Sequence, residues 1–381
     1  MLRIHLAAGS LLALLALTLS ARNAGSQTPP AKPAAQEPAP AATAPAPLDP
    51  PAEKVFKNIK VLTGMPASQM FPVMGLMRSS LGVGCDFCHE AGPDKFDLDT
   101  KKEKQAAREM IRMVFEINKN HFEGKTEITC NSCHHGETHP IAVPTLSQGQ
   151  LAADGTSHPA QAQREGLPKP AQILDRYLAA LGGREALAAV RHRISRGTVL
   201  QGKLIDAGTP KMRVENRGEE GKIEIEQAPG TLRITITAPS GKTVETFDGK
   251  SGTIENAQGR RPMDPEELRR AAEEADLHRE LALKPDRMRV VSRTSLDGRS
   301  VYVVRGALPD GRRATFYFDA ENGLLTRRVV LSPTILGADP EQTDYSAYIA
   351  VGAVKVPSVV KISYLDDDYM GTTRKLTEIR E

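Results

Sequence analysis

Tryptophan is missing from all 381 residues, and the other aromatics amount to nine Phe and seven Tyr. A buried core therefore rests on Val, Ile, Leu and Met. Strong charge is missing as well: the formal balance is +3, and no block of like charges occurs. That excludes the basic footprint of a nucleic-acid partner and gives no electrostatic reason for adhesion to a membrane. In the second half of the chain no catalytic carboxylate pair, Ser/His/Asp set or phosphate-binding glycine loop stands out, so nothing there points to hydrolysis or phosphoryl transfer. Cysteine is scarce, with four in total. None follows the apolar N-terminal run, where a lipid would be attached.

Those four cysteines fall in two short stretches, Cys85-Asp86-Phe87-Cys88-His89 and Cys130-Asn131-Ser132-Cys133-His134. Both read C-x-x-C-H, the attachment signature of a c-type haem. Two thiols one turn apart can add to the two vinyl groups on one edge of the macrocycle, and the next residue's imidazole lies under the iron. A lone copy would also suit a redox dithiol or half a zinc site. Two copies with no cysteine left over favour two covalently bound haem c groups, with His89 and His134 on the irons.

The N-terminus carries an address. Arg3 precedes the apolar run Ile4 to Leu19, and Ser20-Ala21 suit a signal peptidase, so residues 1–21 read as a signal peptide. The run is near the lower limit for a membrane span, which leaves an uncleaved anchor as the alternative. Either outcome puts the body of the chain outside the cytoplasm, in the periplasm. Residues 22–52 are rich in Ala, Pro and Gln and read as an extended linker.

Residues 53–145 form the haem region. Pro66-Ala67-Ser68 opens a helix carrying Met70, Met74, Met77 and Leu81 at helical spacing, with Pro72 tolerable only in its first turn. Gly82 and Gly84 end it before Cys85. Thr100-Lys101-Lys102-Glu103 fits a capping box, and the helix it opens runs to about Asn120 with Ala106, Met110, Met113, Val114 and Ile117 on one stripe. Both halves read helix, turn, C-x-x-C-H, a weak internal repeat. The motif His leaves one axial position on each iron, and a methionine of the preceding helix is the expected sixth ligand, the remaining methionines being core. The region balances Lys and Arg against Asp and Glu, so haem propionates would make it slightly acidic.

These residues carry a family resemblance. Met74 through Leu81-Gly82-Val83-Gly84-Cys85-Asp86-Phe87-Cys88-His89 resembles the haem segments of the cytochrome c subunit of bacterial photosynthetic reaction centres. The axial Met of that family lies eleven residues before the first Cys, which carries over to Met74. Ala107-Arg108-Glu109-Met110-Ile111-Arg112-Met113 through Ile117-Asn118 to Cys133-His134 resembles another of its segments, in which the first of two spaced methionines is the ligand. That carries over to Met110, with Met113 as the fallback. The resemblance covers about residues 55–145 and departs from the family in three ways. This chain has motifs for two haems against four, and His135 stands where an Arg is usual. His121 does not align with the family's further haem-ligating His. His135 or His139 replacing Met110 remains an alternative ligation, while His158, His192 and His278 read as ordinary polar positions.

Residues 146–167 read as a second linker, and residues 168–381 as a different domain. Pro168 to Leu187 is an amphipathic helix with Ile173, Leu174, Tyr177, Leu178 and Leu181 on one face, interrupted at Gly182-Gly183. Residues 222–226 and 231–237 alternate as strands. Asp248-Gly249, Asp297-Gly298, Asp310-Gly311 and Asn322-Gly323 are hairpin signals. One helix, about Pro265 to Leu283, is entered by Asp264-Pro265. Asp366-Asp367-Asp368 reads as an acidic turn, with cation binding as the lesser reading. The pattern is similar to the curved half-barrels of lipoprotein-carrier and lipid-binding exported domains, which implies a lipid or quinone ligand; a docking scaffold is the plain alternative.

The expected fold is thus multidomain: a mainly α multihaem cytochrome c domain, then an α+β domain with a curved antiparallel sheet. The expected function is one-electron transfer by an exported dihaem cytochrome rather than enzyme catalysis. Its partners would be redox proteins, including a membrane-bound reaction centre whose oxidised pigment it re-reduces, or an oxidase. The alternatives are a dihaem peroxidase-type enzyme and a lipid- or quinone-binding module with redox-sensing haems.

Overall fold

Pro66 and Gly82 bracket the first long helix. In the computed structural model, which describes residues 49–140, 166–201, 218–365 and 371–381, a short helix α1 (Ala52–Val55) precedes a 3-10 turn, Ala67–Gln69, that runs directly into α2 (Met70–Leu81). Pro72 occupies the first turn of α2, where no intrahelical N–H bond is due. Gly82 closes the helix at φ 65°, and a Cβ there would lie 2.1 Å from Gly136 O, so glycine is required twice over. Met70, Val73 and Leu76 form the buried face of α2. The signal peptide, most of both linkers and the acidic turn at 366–368 lie outside the described residues.

Helix α3 (Lys102–His121) begins with no side-chain cap. The expected capping box does not form, because Thr100 donates its hydroxyl to Glu90 at 2.5 Å and Lys101 takes the N-cap position. The buried face of α3 also differs from the expected stripe. Lys104, Arg108, Ile111, Val114 and Asn118 face inward, while Met110 and Met113 are 41% and 42% exposed. Buried charges need partners, and both find them. Lys104 donates to Phe96 O and Leu98 O at 2.9 and 2.7 Å, and Arg108 meets Asp99 at 2.9 Å. A four-residue helix, α4 (Asn131–His134), holds the second motif.

After residue 166, α5 (Pro170–Ala180) and α6 (Arg184–Ala189) replace the single expected helix, parted at Gly182-Gly183 as the sequence suggested. The five expected apolar residues of α5 and the residue after it are all buried. Thirteen strands follow: β1 Arg193–Gln201, β2 Glu219–Ala228, β3 Thr231–Ala238, β4 Gly241–Phe247, β5 Gly252–Asn256, β6 Gly259–Pro262, β7 Met288–Leu296, β8 Arg299–Ala307, β9 Arg313–Asp319, β10 Leu325–Thr334, β11 Gly337–Val351, β12 Val354–Ser363 and β13 Thr372–Arg380. They form one antiparallel sheet in the order β6-β5-β4-β3-β2-β1-β13-β12-β11-β10-β9-β8-β7. Two meanders therefore meet where the first strand pairs the last. All four Asx-Gly signals are turns with a positive-φ glycine. Irregularities in register at Arg196/Gly197 and Val290/Ser292 add local twist and bending.

Helix α7 (Pro265–Ala275), shorter than expected, starts with a full capping box between Asp264 and Glu267. Its apolar side packs on β1–β5 through Ala271 and Ala275. Toward β9–β11 it presents charge: Glu273 bonds Arg312 at 2.8 Å and also Arg328. Burial pushes the Glu273 carboxyl up, but Arg328 and Arg312 outweigh it and hold the pKa at about 2. This stretch of sheet is lined by ion pairs rather than by the apolar surface of a lipid groove. α5 and α6 cover β7–β12 with a larger core around Phe316, Phe318, Val330 and Val354.

The turn from β10 to β11 reaches into the helical region. Leu336 is fully buried among Met65, Met70, Val73, Leu76 and Ile111, with Ile335 and Leu365 beside it. Ile335 N–H donates to Gln69 Oε1 at 3.0 Å and Ser79 Oγ to Leu365 O at 3.2 Å. Gly337 sits so close that a Cβ would stand 3.1 Å from both Leu76 and Thr129. All described residues belong to one compact unit, Ala46–Glu381.

Candidate functional site

Both C-x-x-C-H stretches fold into the same tight turn. In the first, Cys88 N–H and His89 N–H donate to Cys85 O at 3.3 and 3.0 Å. In the second, Cys133 N–H and His134 N–H donate to Cys130 O at the same 3.3 and 3.0 Å. The turn brings each pair of thiols and the following ring onto one side of the backbone. None of the four cysteines is in a disulfide; Cys133 is exposed and the others are half-buried. Burial pushes the Cys88 and Cys130 thiols upward, which keeps them protonated near neutral pH.

The two rings are oriented alike. His89 Nδ1 lies 2.9 Å from Phe96 O, and His134 Nδ1 lies 2.9 Å from Glu137 O. A carbonyl can only accept, so Nδ1 carries the proton and the neutral ring keeps its lone pair on Nε2. Burial holds His89 below the ordinary imidazole value, the bond to Phe96 O works the other way, and Lys104, Lys101 and Arg108 lower it again. Protonation therefore competes poorly with a metal for Nε2. Phe96 also packs on His89 with ring centroids 5.1 Å apart.

The elements that hold the turns differ. Around the first, Lys101 Nζ donates to Asp86 O within the motif, and a cleft of about 800 Å³ opens between Val83–Phe87 and Thr100–Glu103. That volume lies in the range of cofactor pockets. Around the second, Asn118 fastens the preceding loop. Its Nδ2 donates to Ile128 O at 2.7 Å, and its Oδ1 accepts Glu127 N–H and Ile128 N–H at 3.1 and 2.9 Å. Gly136 N–H donates to Ser80 O at 2.8 Å, so the end of α2 closes against the tail of the second motif.

The expected sixth ligands occupy unlike positions. Met74 is half-buried against the core of the helical region, as is Met77, whereas Met70 lies within that core. Met110 and Met113 project from the exposed side of α3. Val55, Phe71, Phe87 and Leu98 are also exposed, so this region presents apolar surface that a macrocycle would cover. Paired thiols outside any disulfide, Nδ1-anchored imidazoles, thioethers on the preceding helices and this apolar surface together fit covalent haem. A closed zinc site does not fit, since no three His, Cys, Asp or Glu side chains converge to hold a metal ion among the described residues.

His121, His135 and His139 are exposed, and His135 caps α4 at φ 51°. His278 bonds Val190 O through Nε2 at 2.9 Å, an ordinary structural role. Sequence reasoning passed over Lys104, Asp99 and Leu336, and cited Arg108 and Asn118 only within a motif. Lys104, Arg108, Ile111, Val114 and Asn118 do recur at helical spacing, a signal hidden because three of them are polar.

Residues 19–174 match the family model of the photosynthetic reaction centre cytochrome c subunit. Cytochrome c-554 of Chloroflexus aurantiacus is 34% identical over 85 residues, an alignment that takes in 20% of this chain and 20% of that protein. Among solved structures, a DUF1329 family protein from Desulfovibrio piger is similar at TM-score 0.37 and 8% identity, over 56% of this chain and 93% of that one. A LolA superfamily protein from Nitrosomonas europaea is similar at TM-score 0.36 and 8% identity, again over 56% and 93%. The chain spans about a fifth of the length of the curated relative it matches. Its N-terminal part is thus similar to the reaction-centre cytochrome c subunit, a likeness that implies covalently bound haem c.

Proposed function

We propose that this protein is an exported dihaem c-type cytochrome that passes single electrons between redox partners. The observation that carries the reading is the duplicated turn, with each motif imidazole bonded through Nδ1 to a backbone carbonyl at 2.9 Å. Haem, when bound, supplies an iron that cycles between Fe(III) and Fe(II). Cys85 with Cys88, and Cys130 with Cys133, would each hold one haem through two thioethers, formed by adding each thiol S–H across a vinyl group. His89 and His134 offer Nε2, while Phe96 O and Glu137 O fix the ring planes. Met74 and Met110 would supply a thioether to each haem. Sulfur ligation would favour the reduced iron and raise its potential, which suits transfer rather than chemistry on a substrate. The partners are a donor and an acceptor outside the cytoplasm, the acceptor being an oxidised pigment or an oxidase.

The test is the full chain made in cells that mature cytochromes. Its mass is expected to exceed that of the polypeptide by two haems, and its spectrum to show low-spin haem with a sulfur-to-iron charge-transfer band. A polypeptide without added mass would overturn the reading. A high-spin haem that binds cyanide and turns over peroxide would replace it with a peroxidase.

A further inference from the structure

Resting on the dihaem reading, a difference behind the two motif histidines assigns them unlike potentials. Phe96 O accepts two donors at once: His89 Nδ1–H at 2.9 Å and the Lys104 ammonium at 2.9 Å. Lys104 is only 9% exposed and is held in place by a further bond to Leu98 O at 2.7 Å. At the second motif, Glu137 O accepts His134 Nδ1–H at 2.9 Å. No ammonium or guanidinium shares that oxygen among the described residues. Asp99 opposes Lys104, but its nearer oxygen is 3.4 Å from Nζ. It is also divided between Arg108 at 2.9 Å and Lys60 at 2.6 Å.

An Nδ1–H that donates to a free carbonyl lends the ring anionic character, which favours Fe(III). An ammonium on the same oxygen takes up that electron density. A buried positive charge a few ångströms from the ring also disfavours Fe(III), because little water screens it. Both effects act in one direction, and only at His89. We propose that Lys104 sets the first haem above the second in reduction potential, which makes the first motif the electron sink of the pair and directs transfer from the second motif to the first.

The test is a redox titration of the two-haem protein in the α-band. The parent titrates in two steps. Lys104→Met is expected to lower the higher step and leave the lower one in place, while Lys104→Arg keeps both near their parent values. Asp99→Asn, which removes the opposing anion, is expected to raise the higher step; it carries the test alone where Lys104→Met does not fold. A lower step that moves instead, two steps that move equally, or none that moves would overturn the proposal. Absence of haem by mass would overturn the dihaem reading itself, a separate outcome visible before any titration.

Discussion

The two C-x-x-C-H turns are alike to within the length of their hydrogen bonds and unlike in everything that surrounds them. The first lies against the start of α3, where Lys101, Lys104 and Arg108 gather around it and Asp99 answers them. The second is fastened by Asn118, by the end of α2 at Gly136, and by the β10–β11 turn at Thr129. The motif therefore sets the chemistry of attachment, while neighbours set charge at one site and rigidity at the other. The sheet domain reaches the second directly through Gly337 beside Thr129, while Leu336 packs on α2 and Ile111.

The largest expected effect separates the sites outright. On the dihaem proposal, Cys85→Ala/Cys88→Ala is expected to remove one haem and Cys130→Ala/Cys133→Ala the other, each variant keeping a single haem by mass. Loss of both from either variant would mean that the two sites mature as one. Next comes the wedge. Leu336→Ala opens a cavity against α2 and is expected to cost about 2–5 kcal/mol, read as a lowered denaturation midpoint. Hydrogen exchange should quicken around 127–136 more than around 85–89. Equal quickening would erase the contrast drawn between the sites.

Asn118→Ala removes three part-buried hydrogen bonds to the backbone of Glu127 and Ile128 and is expected to cost about 1–3 kcal/mol. Broadening is expected at the second haem's resonances, with the first haem's unaltered. Met110→Ala, on an exposed face, should shift stability by no more than about 0.5 kcal/mol yet remove part of the sulfur-to-iron band. Met113→Ala should leave that band intact, and the reverse result would move the ligand one turn along α3.

The smallest effect is acid sensitivity at the first site. The hydrogen bond from Arg108, then that from Lys60, holds the Asp99 carboxyl far below the usual carboxylate range. A depressed carboxyl contributes stability that is present above its unfolded value and is lost as pH falls toward the folded one. Amides of residues 96–108 should therefore lose protection in strong acid before those of 118–134, and Asp99→Asn should abolish that difference. Solvent around Asp99 keeps the effect modest.

Some features needed nothing beyond local sequence. Cys-x-x-Cys-His closes its own turn, since the N–H groups that meet Cys85 O and Cys130 O lie within four residues. Gly82 stops α2, Asp264 with Glu267 starts α7, and four Asx-Gly pairs turn hairpins, all by preferences of a few adjacent backbone angles. Periodicity found the buried face of α5, whereas on α2 only Met70 of the expected stripe is buried, the inward positions being Val73 and Leu76. It failed on α3, where the methionines looked like core and the charged residues like surface. Helical spacing names a face but not what covers it, and the partners of Lys104 and Arg108 are carbonyls and a carboxylate from the loop before the helix.

Other features were decided only in three dimensions. The pairing of β1 with β13 joins strands from opposite ends of the domain, and the β10–β11 turn plugs a core some 260 residues upstream, bonded to Gln69. No pattern in either segment announces its partner. Such contacts depend on how whole layers stack, and apolar burial rewards any close fit without regard to distance along the chain. Local chemistry was thus written into short stretches of the chain, and the environment that distinguishes one site from the other arose from packing.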